Sequence, residues 1–267
     1  MLIFASMKTD LFLSVVLLTT VSCGGASSEY TDHNTQSEIK IELAATAGER
    51  AEQQLVHQGY VASYNSDWLV SNWVAYDLTA AEVAGTYKRP KGKSFEPDPQ
   101  ASGASAQHAD YSRQRPYVRG HLAPAADMKW SEQAMNESFY LSNVVPQDSA
   151  LNDGMWERLE RKVRELARRD SVVYICTGPV MDAVPQKIGR NGVAVPVGLF
   201  KVLCRQHQGK WCAIGFLFPN QPCEGSIFDY ATSVDEVEWT TGHDFFFNLP
   251  DDVEEEIESH FDIKDWQ

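Results

Sequence analysis

Apolar residues recur every three or four positions through DGMWERLERKVRELARRD. Trp156, Leu159, Val163 and Leu166 share one face and charges occupy the rest, which predicts an amphipathic helix. Upstream the rhythm changes. In WVAYDLTAAEV the residues Val74, Tyr76 and Leu78 alternate, a strand period. SVVYICTG, VAVPVGLFKVLC and KWCAIGFLFPN are dense apolar runs that read as core strands. MNESFYLSNVVPQ predicts a short helix running into a strand, and residues 36–56 predict a further helix. SVDEVE spaces Ser233 and Glu236 as a capping box and opens another. GTYKRPKGKSFEPDPQASGASAQ is rich in turn residues. Helices and strands do not alternate as βαβ units. The predicted class is therefore α+β, with a mixed, mainly antiparallel sheet and flanking helices.

The first residues stand apart. From Met7 the chain reads MKTDLFLSVVLLTTVSCGGASS: a lysine, a short apolar run, small residues and Cys23. The run is shorter than the ~20 residues of a spanning helix and reads as an export signal. Cys23 before Gly24 and Gly25 is a candidate lipid carrier. The expected organisation is a signal over 1–23, a tether and helix over 24–50, and one catalytic domain over 51–267. The expected location is the periplasm, outer membrane or cell surface, as a lipoprotein. Export implies an oxidising compartment. Cys204 and Cys212 flank a polar turn between two strands and are the favoured disulfide, leaving Cys176 with Cys223. The net charge is −14, and residues 233–267 carry −11 of it. That balance argues against a protein that coats nucleic acid electrostatically, while leaving room for a locally basic cleft. The acidic tail reads as a solvated helical face.

Candidate chemistry lies in the middle of the chain. In YVRGHLAPAADMKWS an extended backbone puts Arg119 and His121 on one face, and Val118 and Gly120 on the other. In LSNVVPQDSALNDGMWERLE, Asn152 precedes the strong helix and Glu160 lies eight residues on. Taken locally, Asn152 is a helix N-cap and Glu160 an i,i+4 partner of Arg164. Eight helical residues span about 12 Å and turn about 80°, so Asn152 and Glu160 cannot easily ligate one ion together. Asn152 on a metal, with Glu160 on a metal-bound water, suits hydrated Mg²⁺. An unliganded histidine is then free to act as a general base, and nearby arginines suit a phosphodiester.

RGHLAPAADM, SNVVPQ, LNDGMWERLE and the upstream WVAYDLT…YKRP together resemble the DNA/RNA non-specific endonuclease family, the ββα-metal nucleases. The resemblance runs over roughly residues 57–249, with the four motifs in the family's order. It implies a ββα-metal active-site motif and DNA and RNA as substrates. His121 would be the general base, Asn152 the direct protein ligand of Mg²⁺ (Mn²⁺ as substitute), and Glu160 the residue that orients the metal's water shell. Arg89, Arg119 and Arg164 would contact phosphate. Asn143 would support the hairpin or His121. The family's DRGH aspartate is Val118 here, a departure that bears on activity or on local support of the loop. The competing expectation is a catalytically impaired nucleic-acid-binding lipoprotein of the same fold.

Overall fold

The computed structural model describes residues 40–46 and 48–267. Its centre is a seven-stranded sheet, wholly antiparallel in its ladders. The strands, in chain order, are β1 (Ala44–Thr46), β2 (Gln53–Val56), β3 (Val61–Asn65), β4 (Val70–Thr79), β5 (Tyr117–His121), β6 (Val144–Asp148) and β7 (Val172–Val180). They continue with β8 (Lys187–Ile188), β9 (Val193–Ala194), β10 (Gly198–His207), β11 (Lys210–Pro219), β12 (Ala231–Thr232) and β13 (His243–Phe245). The large sheet runs β12-β11-β10-β7-β4-β3-β2, while β1-β13, β5-β6 and β8-β9 are separate pairs. The α+β expectation holds.

Each face of this sheet buries its own core, and the alternation of side chains sorts residues between them. On β4, Val74, Tyr76 and Leu78 enter one cluster, and Trp73 and Ala75 the other. The first face is covered by α4 (Glu157–Asp170), whose Leu159, Val163 and Leu166 are buried as the helical period requires. The second packs under α5 (Val234–Thr241) and α6 (Asp251–Ser259). Three short helices complete the set up to α4: α1 (Ala80–Val83), α2 (Glu132–Glu137) and α3 (Ser149–Leu151). The chain closes on α7 (Ile263–Trp266). Ser233 caps α5 by accepting from the Glu236 N–H.

Two expectations are corrected. The helix expected over 36–56 is, in its described part, β1 and β2. β1 pairs with β13 some 200 residues away and β2 forms an edge of the large sheet, so long-range pairing overrides local propensity. The expected disulfides are absent: Cys176, Cys204, Cys212 and Cys223 are free thiols. The β10-β11 register pairs Cys204 with Ala213 and Arg205 with Cys212. The two cysteines are thus one residue out of step and point to opposite faces. The signal and tether of residues 1–39, including Cys23, lie outside the described residues.

Candidate active site

β5 and β6 form a hairpin off the main sheet, registered from Tyr117 opposite Asp148 to His121 opposite Val144. The alternation puts Arg119 and His121 on one face. Val118 and Gly120 face Gln147: Val118 is its ladder partner, and a Cβ on Gly120 would lie 2.0 Å from Gln147 Oε1. Glycine is needed here for close approach. Gln147 is fully buried, and neither Oε1 nor Nε2 has a hydrogen-bond partner among the described residues. An apolar Val118 offers it none. The departure from the family pattern is thus felt by Gln147, on the face away from the imidazole.

His121 ends the strand. Its ring lies 5.0 Å from that of Phe95 and meets Phe139 edge-on at 5.4 Å. Nε2 is buried and hydrogen-bonded to nothing among the described residues. Burial first, and the Arg89 charge second, lower the imidazole to about 4, so the ring is neutral at pH 7. Arg89 lies 4.4 Å over Phe139, its Nε donating to the Lys93 carbonyl at 3.1 Å. Arg119 lies 5.5 Å over Phe95 and donates to the His108 carbonyl at 3.3 Å. Two guanidinium groups thereby flank the aromatic pair that holds the imidazole. Asn143 anchors the chain just past His121. Its Oδ1 accepts from Ala123 N–H at 2.8 Å, its Nδ2 donates to the carbonyls of Ala123 (2.8 Å) and Ser138 (3.0 Å), and its own carbonyl accepts from Leu122 N–H.

The helix after β6 begins earlier than the sequence suggests. Asp148 is its N-cap, accepting from the N–H groups of Ala150 and Leu151. Asn152 is therefore not the N-cap; it stands at the C-terminal end of α3. It opens a π-helical turn, Asn152–Trp156, between α3 and α4. Such turns widen a helix and are frequent at functional sites. Asn152 Nδ2 donates to Asp153 Oδ1 at 2.6 Å, which orients the amide and presents Oδ1 as a hard oxygen donor. Among the described residues its side chain makes no hydrogen bond to the His121 group.

Glu160 and Arg164 belong to a third group. Arg164 does not pair with Glu160; its Nη1 donates to Asp127 Oδ1 at 2.7 Å, and Tyr76 Oη donates to Asp127 Oδ2 at 2.9 Å. Lys201 is fully buried, 4.9 Å over the Trp156 ring, with Nζ donating to the Leu122 carbonyl at 3.5 Å. Burial pushes Glu160 up to about 8 against the pull of Lys201. It pushes Lys201 down to about 8 against Glu160 and Asp127. The structure therefore brings Arg89, Arg119 and His121 together, and separately Glu160 and Arg164, with Asn152 at the widened turn. Sequence reasoning missed Phe95, Phe139, Gln147, Asp127 and Lys201. The usable signal was Lys201, a lysine inside the otherwise apolar run GLFKVLC.

The amide oxygen of Asn152 and the adjoining Asp153 carboxylate are hard donors that fit a hydrated Mg²⁺ ion. His121 makes no side-chain hydrogen bond among the described residues, and Nδ1 is the nitrogen left open to solvent.

The chain is similar to several known proteins. The family model for DNA/RNA non-specific endonucleases matches residues 41–252. Zebrafish (Danio rerio) mitochondrial nuclease EXOG is 36% identical over 205 residues, covering 71% of this chain and 60% of that protein. Human (Homo sapiens) mitochondrial endonuclease G is 36% identical over 183 residues, covering 64% and 61%. The chain thus spans about three fifths of the length of these relatives. A crystal structure of an EndoG/EndoGI inhibition complex superposes with a TM-score of 0.71 at 30% identity, over 79% of this chain and 91% of that one. The expectation of a periplasmic or cell-surface lipoprotein is corrected by these relatives, which are named as mitochondrial. By motif, model match and superposed fold, the chain belongs to the DNA/RNA non-specific endonuclease family.

Proposed function

We propose that this protein is a metal-dependent endonuclease that hydrolyses DNA and RNA phosphodiester bonds with little sequence specificity. The observation that carries the reading is His121: a neutral imidazole with no hydrogen bond on either nitrogen, its Nε2 sealed and its Nδ1 open, packed against Phe95 and Phe139 and flanked by Arg89 and Arg119. His121 takes the proton from the attacking water through Nδ1, the ring nitrogen that is not sealed from solvent. Arg89 and Arg119 hold the phosphate, and their guanidinium forks match its oxygens. These contacts go to backbone phosphate, which carries no sequence information. Asn152, oriented by Asp153, would hold Mg²⁺ or Mn²⁺, which when bound stabilises charge on the phosphate. Glu160, from the same helix, would orient that ion's water shell. Arg164, tied to Asp127, adds positive charge behind the phosphate.

The test is incubation of supercoiled plasmid and of a structured RNA with protein and Mg²⁺, with and without EDTA, for wild type and Asn152→Ala. Both substrates should be cut by the wild type and spared with EDTA. Asn152→Ala should need at least about tenfold more Mg²⁺ for the same rate, a modest value for loss of a direct ligand against the 10–100-fold of outer-shell changes. Binding without cutting, or cutting unaffected by EDTA, overturns the reading.

A pH profile follows from the depressed His121. A general base works only when neutral, and lowering its pKa extends the neutral form into acid. The acid limb of kcat/KM should therefore lie well below 6.5, toward about 4. A limb at 6.5 or higher would show that the group titrating in the reaction is not this imidazole.

A further inference from the structure

The acidic C-terminal stretch is not simply a solvated face. Asp235 and Glu238 lie three residues apart on α5, so their side chains share one side of that helix. Glu258, on α6, faces them: one ligand oxygen from each of the three residues lies within 4.8 Å of the others. Glu258 is only 6% exposed, and its Oε1 is buried with no hydrogen-bond partner. Glu238 is partly committed, its Oε1 accepting from the Phe245 N–H at 2.8 Å. No lysine or arginine pairs with any of the three among the described residues. Asp244 and Glu254 add further negative charge around them.

A buried, unpartnered carboxylate oxygen among like charges is costly unless something positive meets it. We propose that Asp235, Glu238 and Glu258 form a divalent-cation site, separate from the ββα centre, in which the ion ties α6 to α5. The donors are all carboxylate oxygens, which selects a hard cation. Ca²⁺ accepts an irregular set of carboxylate oxygens at about 2.3–2.6 Å, whereas Mg²⁺ demands near-ideal octahedral geometry at about 2.0–2.1 Å. Ca²⁺ is thus the fitting ion, with water completing its shell. The competing occupant is a proton, because burial and then the neighbouring carboxylates push Glu258 up to about 9 and burial pushes Glu238 up to about 7.

The test uses the full chain. Tb³⁺, a luminescent Ca²⁺ surrogate, is titrated with excitation through tryptophan, since Trp239 adjoins Glu238 and is 83% exposed. Thermal melts with and without Ca²⁺ run alongside, on wild type, Glu258→Gln, Asp235→Asn and Asn152→Ala. Wild type should give a saturable signal that Ca²⁺ competes away, and a melting temperature raised by about 5 °C or more at Ca²⁺ far above Kd. Both responses should vanish in Glu258→Gln and Asp235→Asn and persist in Asn152→Ala. Glu258→Gln keeps the shape of the protonated acid, and Asp235→Asn changes an exposed side chain, so its response decides even where the buried variant folds poorly. A wild type indifferent to Ca²⁺, an Asp235→Asn that keeps both responses, or responses lost with Asn152→Ala would each overturn the site.

Discussion

Replacing His121 with alanine should slow plasmid cleavage by about 10²- to 10⁴-fold, the range for loss of a positioned general base, with the melting curve nearly unchanged. The argument for a catalytic rather than a folding defect is local. The ring makes no hydrogen bond that its removal would leave half-made, since Nε2 has no partner among the described residues. The backbone around it is held independently. The β5-β6 ladder runs through His121 to Val144, and Asn143 pins Leu122 and Ala123 just beyond. Arg89 and Arg119 keep their carbonyl partners at Lys93 and His108, so phosphate binding should survive and the loss should fall on kcat more than on KM. A variant that cleaves within threefold of wild type, with the same melting curve, would leave the proton to some other group and end the assignment.

The parts of this site that a linear reading captured are those set by local spacing. RGH is a period-two pattern, and two-residue spacing suffices to put Arg119 and His121 on one face whatever the strand pairs with. The amphipathic helix through Leu159, Val163 and Leu166 was legible for the same reason. What failed depends on pairing over long distances. Residues 44–46 are a strand only because residues 243–245 arrive beside them. The Cys204–Cys212 disulfide fails on a one-residue offset in register that no turn composition announces. Asn152 reads locally as a helix N-cap because the sequence does not say that the helix starts one turn earlier, at the Asp148 cap. Phe95 and Phe139, which set the imidazole's environment, come from a turn-rich segment and from the end of a short helix. Nothing in either segment alone indicates that they meet over His121.

Lys201→Met should destabilise the fold by about 3–5 kcal/mol, the usual cost of stranding one member of a buried ion cluster. Lys201 sits in the middle of β10, on the face that carries Leu199 and Leu203 into the core. Around it are two acids, Glu160 and Asp127, and one other cation, Arg164, which is bound to Asp127 at 2.7 Å. Two acids against two bases is electrically closed. Without Lys201 the surplus charge falls on Glu160, already pushed up to about 8 by burial, and its folded-state value rises further. The sign of the pH dependence follows. An acid whose folded value exceeds its unfolded one binds protons preferentially in the native state, so stability is lost as pH rises above the unfolded value near 4.5. Urea melts should therefore show Lys201→Met weakest at alkaline pH, with the gap to wild type narrowing toward pH 5. Adding Glu160→Gln should restore most of the loss, because the double variant again leaves no unpaired charge. Those melts separate two views of the cluster. If Lys201→Met melts within 1 kcal/mol of wild type at pH 8, then Glu160 is already neutral in the native protein, and it cannot orient a cation's water shell as a carboxylate. If the loss appears and the double variant recovers it, the lysine beneath α4 keeps Glu160 ionised, and catalysis then depends on a residue that never meets the substrate.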